Sequence, residues 1–99
     1  MRRFEMPTGT PDEFVARVTR ELAERGLGRH VDLRLDGTEL EVRFHWMGTS
    51  VLRYLLQPAD GGFTADLNGE RLSPLHAGFR HAFEERFDQV LAKVGARTV

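Results

Sequence analysis

An α+β fold is predicted by three features of the chain: a capped amphipathic segment over residues 11–25, period-two alternation between residues 31 and 67, and a second amphipathic segment after residue 73. In order the elements read α-β-β-β-β-α, a four-stranded antiparallel meander with both helices on one face. Ninety-nine residues can bury one modest core. No repeat or linker divides them, so residues 10–95 are expected to form one domain, preceded by a flexible lead-in over residues 1–9 and followed by a tail over residues 96–99.

The first helix is announced by Thr10-Pro11-Asp12-Glu13. Thr10 suits the cap, Pro11 the first helical position, and Glu13 completes a capping box. Phe14, Val15, Val18 and Leu22 then recur on one face, and Gly26 supplies a left-handed stop before Leu27.

Val31, Leu33 and Leu35 alternate with Asp32, Arg34 and Asp36 as a half-buried strand. Asp36-Gly37 signals a two-residue hairpin that pairs Leu33 with Leu40 and Val31 with Val42, along a second strand carrying Leu40, Val42, Phe44 and Trp46 on its apolar side. A three-residue loop at Gly48-Thr49-Ser50 then keeps Leu52, Tyr54 and Leu56 on that same side, opposite Trp46, Phe44 and Val42. The fourth strand alternates through Phe63, Ala65 and Leu67 and ends at Asn68-Gly69.

Ser73-Pro74 opens the last helix, whose stripe runs Leu75, Phe79, Phe83, Phe87, Val90, Leu91 and Val94 until Gly95. At ~1.5 Å per residue it reaches roughly 30 Å, enough to cross the sheet. The registers and this stripe converge on a core of Phe44, Trp46, Tyr54, Phe79, Phe83 and Phe87.

Fourteen basic residues, all arginine except Lys93, face fifteen acidic ones, so no overall field draws the chain to nucleic acid or to an anionic membrane. With no cysteine there is no disulfide framework, thiolate nucleophile or cysteine-ligated metal. The four histidines, His30, His45, His76 and His81, lack the spacing that puts two imidazoles on one ion, so no metal site is expected. Ser50 and Ser73 have turn and cap roles, and no glycine-rich loop fits a nucleotide. No catalytic residue and no cofactor are therefore expected. The amphipathic last helix carries Glu84, Glu85 and Asp88 beside its basic residues, which argues for core packing over membrane insertion. Without a signal peptide or spanning segment, the expected location is cytoplasmic.

Two surface constellations follow from the expected register. His45, Arg53 and Asp66 form a polar row across the open face of the sheet, read as a solvated charge ladder. Met47, Val51 and Leu55 form an apolar patch on the same face, read as the surface that meets a protein partner or a second copy of the chain in a homodimer.

The run Asp36-Gly37-x-x-Leu40-x-Val42, then Met47-Gly48-x-x-Val51, an alternating strand and a helix ending Leu91-x-x-Val94 resembles the small polyhydroxyalkanoic acid system proteins over roughly residues 10–95. That resemblance implies an accessory protein of polyester granules and carries over no catalytic residue. A long last helix across an antiparallel sheet also resembles a reduced helix-grip fold. The expected function is thus a non-enzymatic accessory or adaptor domain that contacts a protein partner or an apolar granule surface. The alternatives are a small apolar-ligand-binding protein, marked by a cavity of several hundred cubic ångströms between last helix and sheet (a few hundred being the lower end of such sites), and a phage- or toxin-system inhibitor docking on a target protein.

Overall fold

The protein is described by a computed structural model that covers residues 3–78 and 80–98. Its elements are β1 (Arg3–Met6), α1 (Pro11–Glu24), β2 (Val31–Asp36), β3 (Glu39–His45), β4 (Thr49–Ala59), β5 (Gly62–Arg71), the single turn α2 (Pro74–Ala77), α3 (Arg80–Lys93) and β6 (Arg97–Thr98). The fold is α+β, as the sequence predicts. Among the described residues, however, the antiparallel sheet has six strands in the order β2-β3-β4-β5-β1-β6, not four.

The two additional strands come from the segments expected to be a lead-in and a tail. Phe4 and Met6 alternate with Arg3 and Glu5, and both apolar side chains are buried where β1 lies against β5. β6 pairs with the other side of β1 through Phe4↔Thr98 and Glu5↔Arg97. Four and two residues are too short for period two to announce itself in a sequence; burial of Phe4 and Met6 together with the strand pairing offsets the cost of ordering them.

α1 begins as its cap predicts: Thr10 Oγ1 accepts from the Glu13 amide at 3.2 Å, and Glu13 Oε1 accepts from the Thr10 amide at 3.2 Å. Its buried stripe of Phe14, Val18 and Leu22 meets the sheet in an aromatic cluster. Phe4 stacks on Phe14 at 5.3 Å, while Phe63 stands edge-on to Phe14 at 5.5 Å. Phe87, Val90 and Leu91 of α3 join the same core, which also takes in Phe44 and Tyr54.

Four expectations are corrected by the backbone. The first hairpin turns on Gly37-Thr38, giving Leu35↔Leu40, Leu33↔Val42 and Val31↔Phe44. Gly37 has φ +62° while Thr38 does not enter the left-handed region, the pattern of a II′ turn with glycine at its first central position. The second hairpin keeps a three-residue loop but places it at Trp46-Met47-Gly48, with His45↔Thr49, Phe44↔Ser50 and Val42↔Leu52. Trp46 is consequently half exposed at the tip rather than in the core. β5 continues past Asn68-Gly69, because a bulge between the Tyr54↔Leu67 and Arg53↔Gly69 pairs absorbs Asn68. Finally, the expected long helix is divided into α2 and α3, with Gly78 in the break, where glycine's poor helix propensity makes interruption cheap. The expected core residue Phe79 lies outside the described residues.

Candidate functional site

The strongest concave feature is an apolar groove of about 360 Å³ at the end of the sheet where β2 begins. One wall is built by the stop of α1. The Gly26 amide donates to Ala23 O at 3.1 Å and the Leu27 amide to Leu22 O at 2.8 Å, the paired bonds of a Schellman motif, with Gly26 at φ +73°. That turn folds Leu27 back beside Leu22, and both face the groove. The opposite wall is one side of α3: Ala82, Phe83, Phe87 and Val90 at helical spacing, with Arg86 among them. Val31 and Trp46 come from the sheet side, and His30 completes the lining.

His30 is held in place. Its Nδ1 donates to His45 O at 3.0 Å, and its backbone O accepts from the His45 amide at 2.7 Å. The ring's Nε2 has no bonded partner among the described residues.

The hairpin tip that carries Trp46 is fixed by a buried polar clasp. His76 and Ser50 are 4% and 1% exposed. His76 Nε2 donates to Trp46 O at 2.5 Å, and its Nδ1 is hydrogen-bonded to Ser50 Oγ at 2.5 Å. Ser50 Oγ in turn accepts from the Ser73 amide at 2.8 Å. Every polar atom of the clasp is thereby satisfied, which suits a tie between α2 and the β3–β4 hairpin. Sequence reading missed it, since a histidine in a short helical turn and a serine near a hairpin carry no signal of mutual contact.

The expected polar row is not formed. His45 Nε2 donates to Asp32 Oδ2 at 2.8 Å, Arg53 pairs with Glu39 at 3.4 Å, and Asp66 pairs with Arg3 at 3.4 Å. The displaced hairpin loop is the cause, because it sets His45 opposite Thr49 and Arg53 opposite Glu41, roughly 13 Å apart along the strand at ~3.3 Å per residue. Charges on this face instead alternate across strands. Glu41 lies between Arg34 and Arg53, and its hydrogen bond from Arg43 holds its carboxyl below the usual range, aided by those neighbouring guanidiniums.

Nor do Met47, Val51 and Leu55 cluster. Met47 is 73% exposed in the loop at φ +52°, Val51 sits between Arg43 and Arg71, and Leu55, 38% exposed, sits between Glu39 and Asp66. Two of the three are therefore islands in a charged face.

Other features offer less. A wider depression of about 550 Å³ at the opposite end of the sheet is lined mostly by turn and cap residues such as Gly9, Thr10, Gly37 and Gly61. Among the described residues no group of three or more histidine, aspartate or glutamate side chains could hold a metal ion, and no helix is long and apolar enough to cross a membrane. Asp88 on α3 has a buried Oδ1 without a hydrogen-bond partner. Burial pushes its carboxyl above the ordinary range and Glu84 adds to the rise. The folded state thus holds this proton more tightly than the unfolded chain, so no penalty exists below the unfolded aspartate value of ~3.9 and one grows as pH rises through the folded value. Asp88→Asn is expected to stabilise the protein by about 1 kcal/mol at pH 7. The gain should vanish near pH 3, a contrast that urea titrations at the two pH values measure.

The chain matches no protein-family model, no curated protein and no solved structure.

Proposed function

We propose that this chain is a small non-enzymatic binding protein that holds the apolar part of a ligand in the groove between α3 and the start of β2. The groove itself carries this reading. Its volume of about 360 Å³ falls at the lower end of small-molecule sites, ~300–1,000 Å³, and eight of its ten lining residues are apolar. Neither serine of the clasp lines it. This favours the apolar-ligand alternative over the adaptor expected from composition and layout.

Trp46 is the chain's one tryptophan and lines the groove, so it reports occupancy directly. Dodecanol is expected to shift its emission to the blue in a saturable one-to-one titration. Ala82→Phe fills the groove from an exposed wall position and should weaken that response about tenfold or more, with thermal stability unchanged. Wild-type emission that never saturates with dodecanol would sink the proposal.

A second reading, contact with an apolar surface such as a polyester granule, is supported by Trp46 and Met47, 52% and 73% exposed on one hairpin tip at the groove's edge. Its signature is co-sedimentation with polyhydroxybutyrate granules that is lost when Met47 becomes Asp, with dodecanol binding retained. Homodimerisation through the sheet finds less support, because paired charges interrupt Met47, Val51 and Leu55.

A further inference from the structure

Resting on the groove reading, we infer that the ligand is an anionic amphiphile, a long-chain carboxylate whose chain lies along the apolar wall and whose head meets Arg86. Arg86 is the one ion among the groove's described lining, and no acidic side chain accompanies it. It makes no hydrogen bond or ion pair with any described residue, whereas Arg3, Arg25, Arg43 and Arg53 each have a carboxylate partner. Arg17 and Arg20 also form no ion pair with the described residues, but neither lines the groove.

Arg86 is exposed beside the apolar wall of Ala82, Phe83, Phe87 and Val90, so a carboxylate arriving with an apolar tail meets both surfaces together. The planar fork of arginine suits a carboxylate through two parallel hydrogen bonds. His30 is engaged elsewhere, its Nδ1 donating to His45 O, so Arg86 is the donor that the groove's lining offers to an anionic head. The groove therefore has the asymmetry of a fatty-acid site, apolar on both walls with one guanidinium in its lining.

Calorimetric titration of the full chain with dodecanoate, dodecanol and dodecyl phosphate tests this in wild type, Arg86→Gln and Arg86→Lys. Dodecanoate is expected to bind wild type at least tenfold more tightly than dodecanol, and more tightly than dodecyl phosphate. Arg86→Gln should weaken dodecanoate about tenfold or more while leaving dodecanol unchanged, which also shows that the variant is folded. Arg86→Lys, keeping the charge without the fork, should fall between. Equal affinities for acid and alcohol, or dodecanoate binding unmoved in Arg86→Gln, would overturn the carboxylate head while leaving the groove reading standing. Preference for dodecyl phosphate would replace carboxylate by phosphate and overturn the assignment. If wild type binds none of the three, the groove reading fails as well.

Discussion

Phe14→Ala is expected to destabilise the protein by about 3–5 kcal/mol, the cost of emptying a buried aromatic site that cannot collapse. Phe14 is 2% exposed and is the link between layers, stacked on Phe4 of β1 and edge-on to Phe63 of β5. Neighbours on two strands and one helix cannot all move inward to refill the space. A loss of this size is a large share of the ~5–15 kcal/mol that holds a small domain together. Phe83→Ala provides the comparison. Phe83 touches Phe44, with ring centroids 3.5 Å apart, but it is only half-buried and already borders the groove, so its removal widens an existing space. Urea midpoints should therefore rank Phe14→Ala well below Phe83→Ala, and equal midpoints would show that α1 does not dock as described.

Gly62→Ala should be nearly as damaging although it removes nothing. A Cβ at residue 62 would stand 1.8 Å from Met6 O and 2.7 Å from Pro7 C. Both are backbone atoms, so no side chain can swing aside, and the end of β1 must leave β5. Overpacking of this kind costs about 1–3 kcal/mol and sometimes more. The loss should be local at first: hydrogen exchange is expected to show β1 amides losing protection while β3 and β4 remain slow. Gly69 is the control, since a Cβ there meets nothing within 4 Å and its φ is not positive. A urea midpoint for Gly62→Ala as high as that for Gly69→Ala would mean that β1 is not held against β5.

The faces of the strands were legible in the sequence, while their partners were not, and one physical fact explains both. Each of these two hairpins departs from its expected pairing by an even number of residues, which leaves the paired strand residues on their predicted faces and moves their neighbours, while Trp46 and Met47 pass into the loop. Val42 still faces the core, but Leu33 and Leu52 flank it instead of Val31 and Leu56. Hydrophobic pattern cannot choose between such registers. The choice falls to Met47 and Gly48, both at positive φ, and to the His76 clasp that buries Ser50, none of which periodicity records. The caps of α1 were readable because they are local chemistry between residues three apart. The groove was not, because Leu22 and Leu27 become a wall only when Arg86 and its neighbours arrive from the far end of the chain.

The place of β1 in the sheet bears on how the chain reaches this structure. Short turns join β2 through β5, so their contacts are near neighbours in sequence and can form early. Phe4 is different: on one side it pairs with Ala65 and on the other with Thr98. Made before both of its partners, the strand that carries Phe4 and Met6 must wait for β5, and its outer edge must wait until residue 98 has been added. During that interval two apolar side chains and an unpaired strand edge stay in water, the kind of surface through which nascent chains associate. Arg3 and Glu5, which alternate with them, put charge on the other face of that waiting edge.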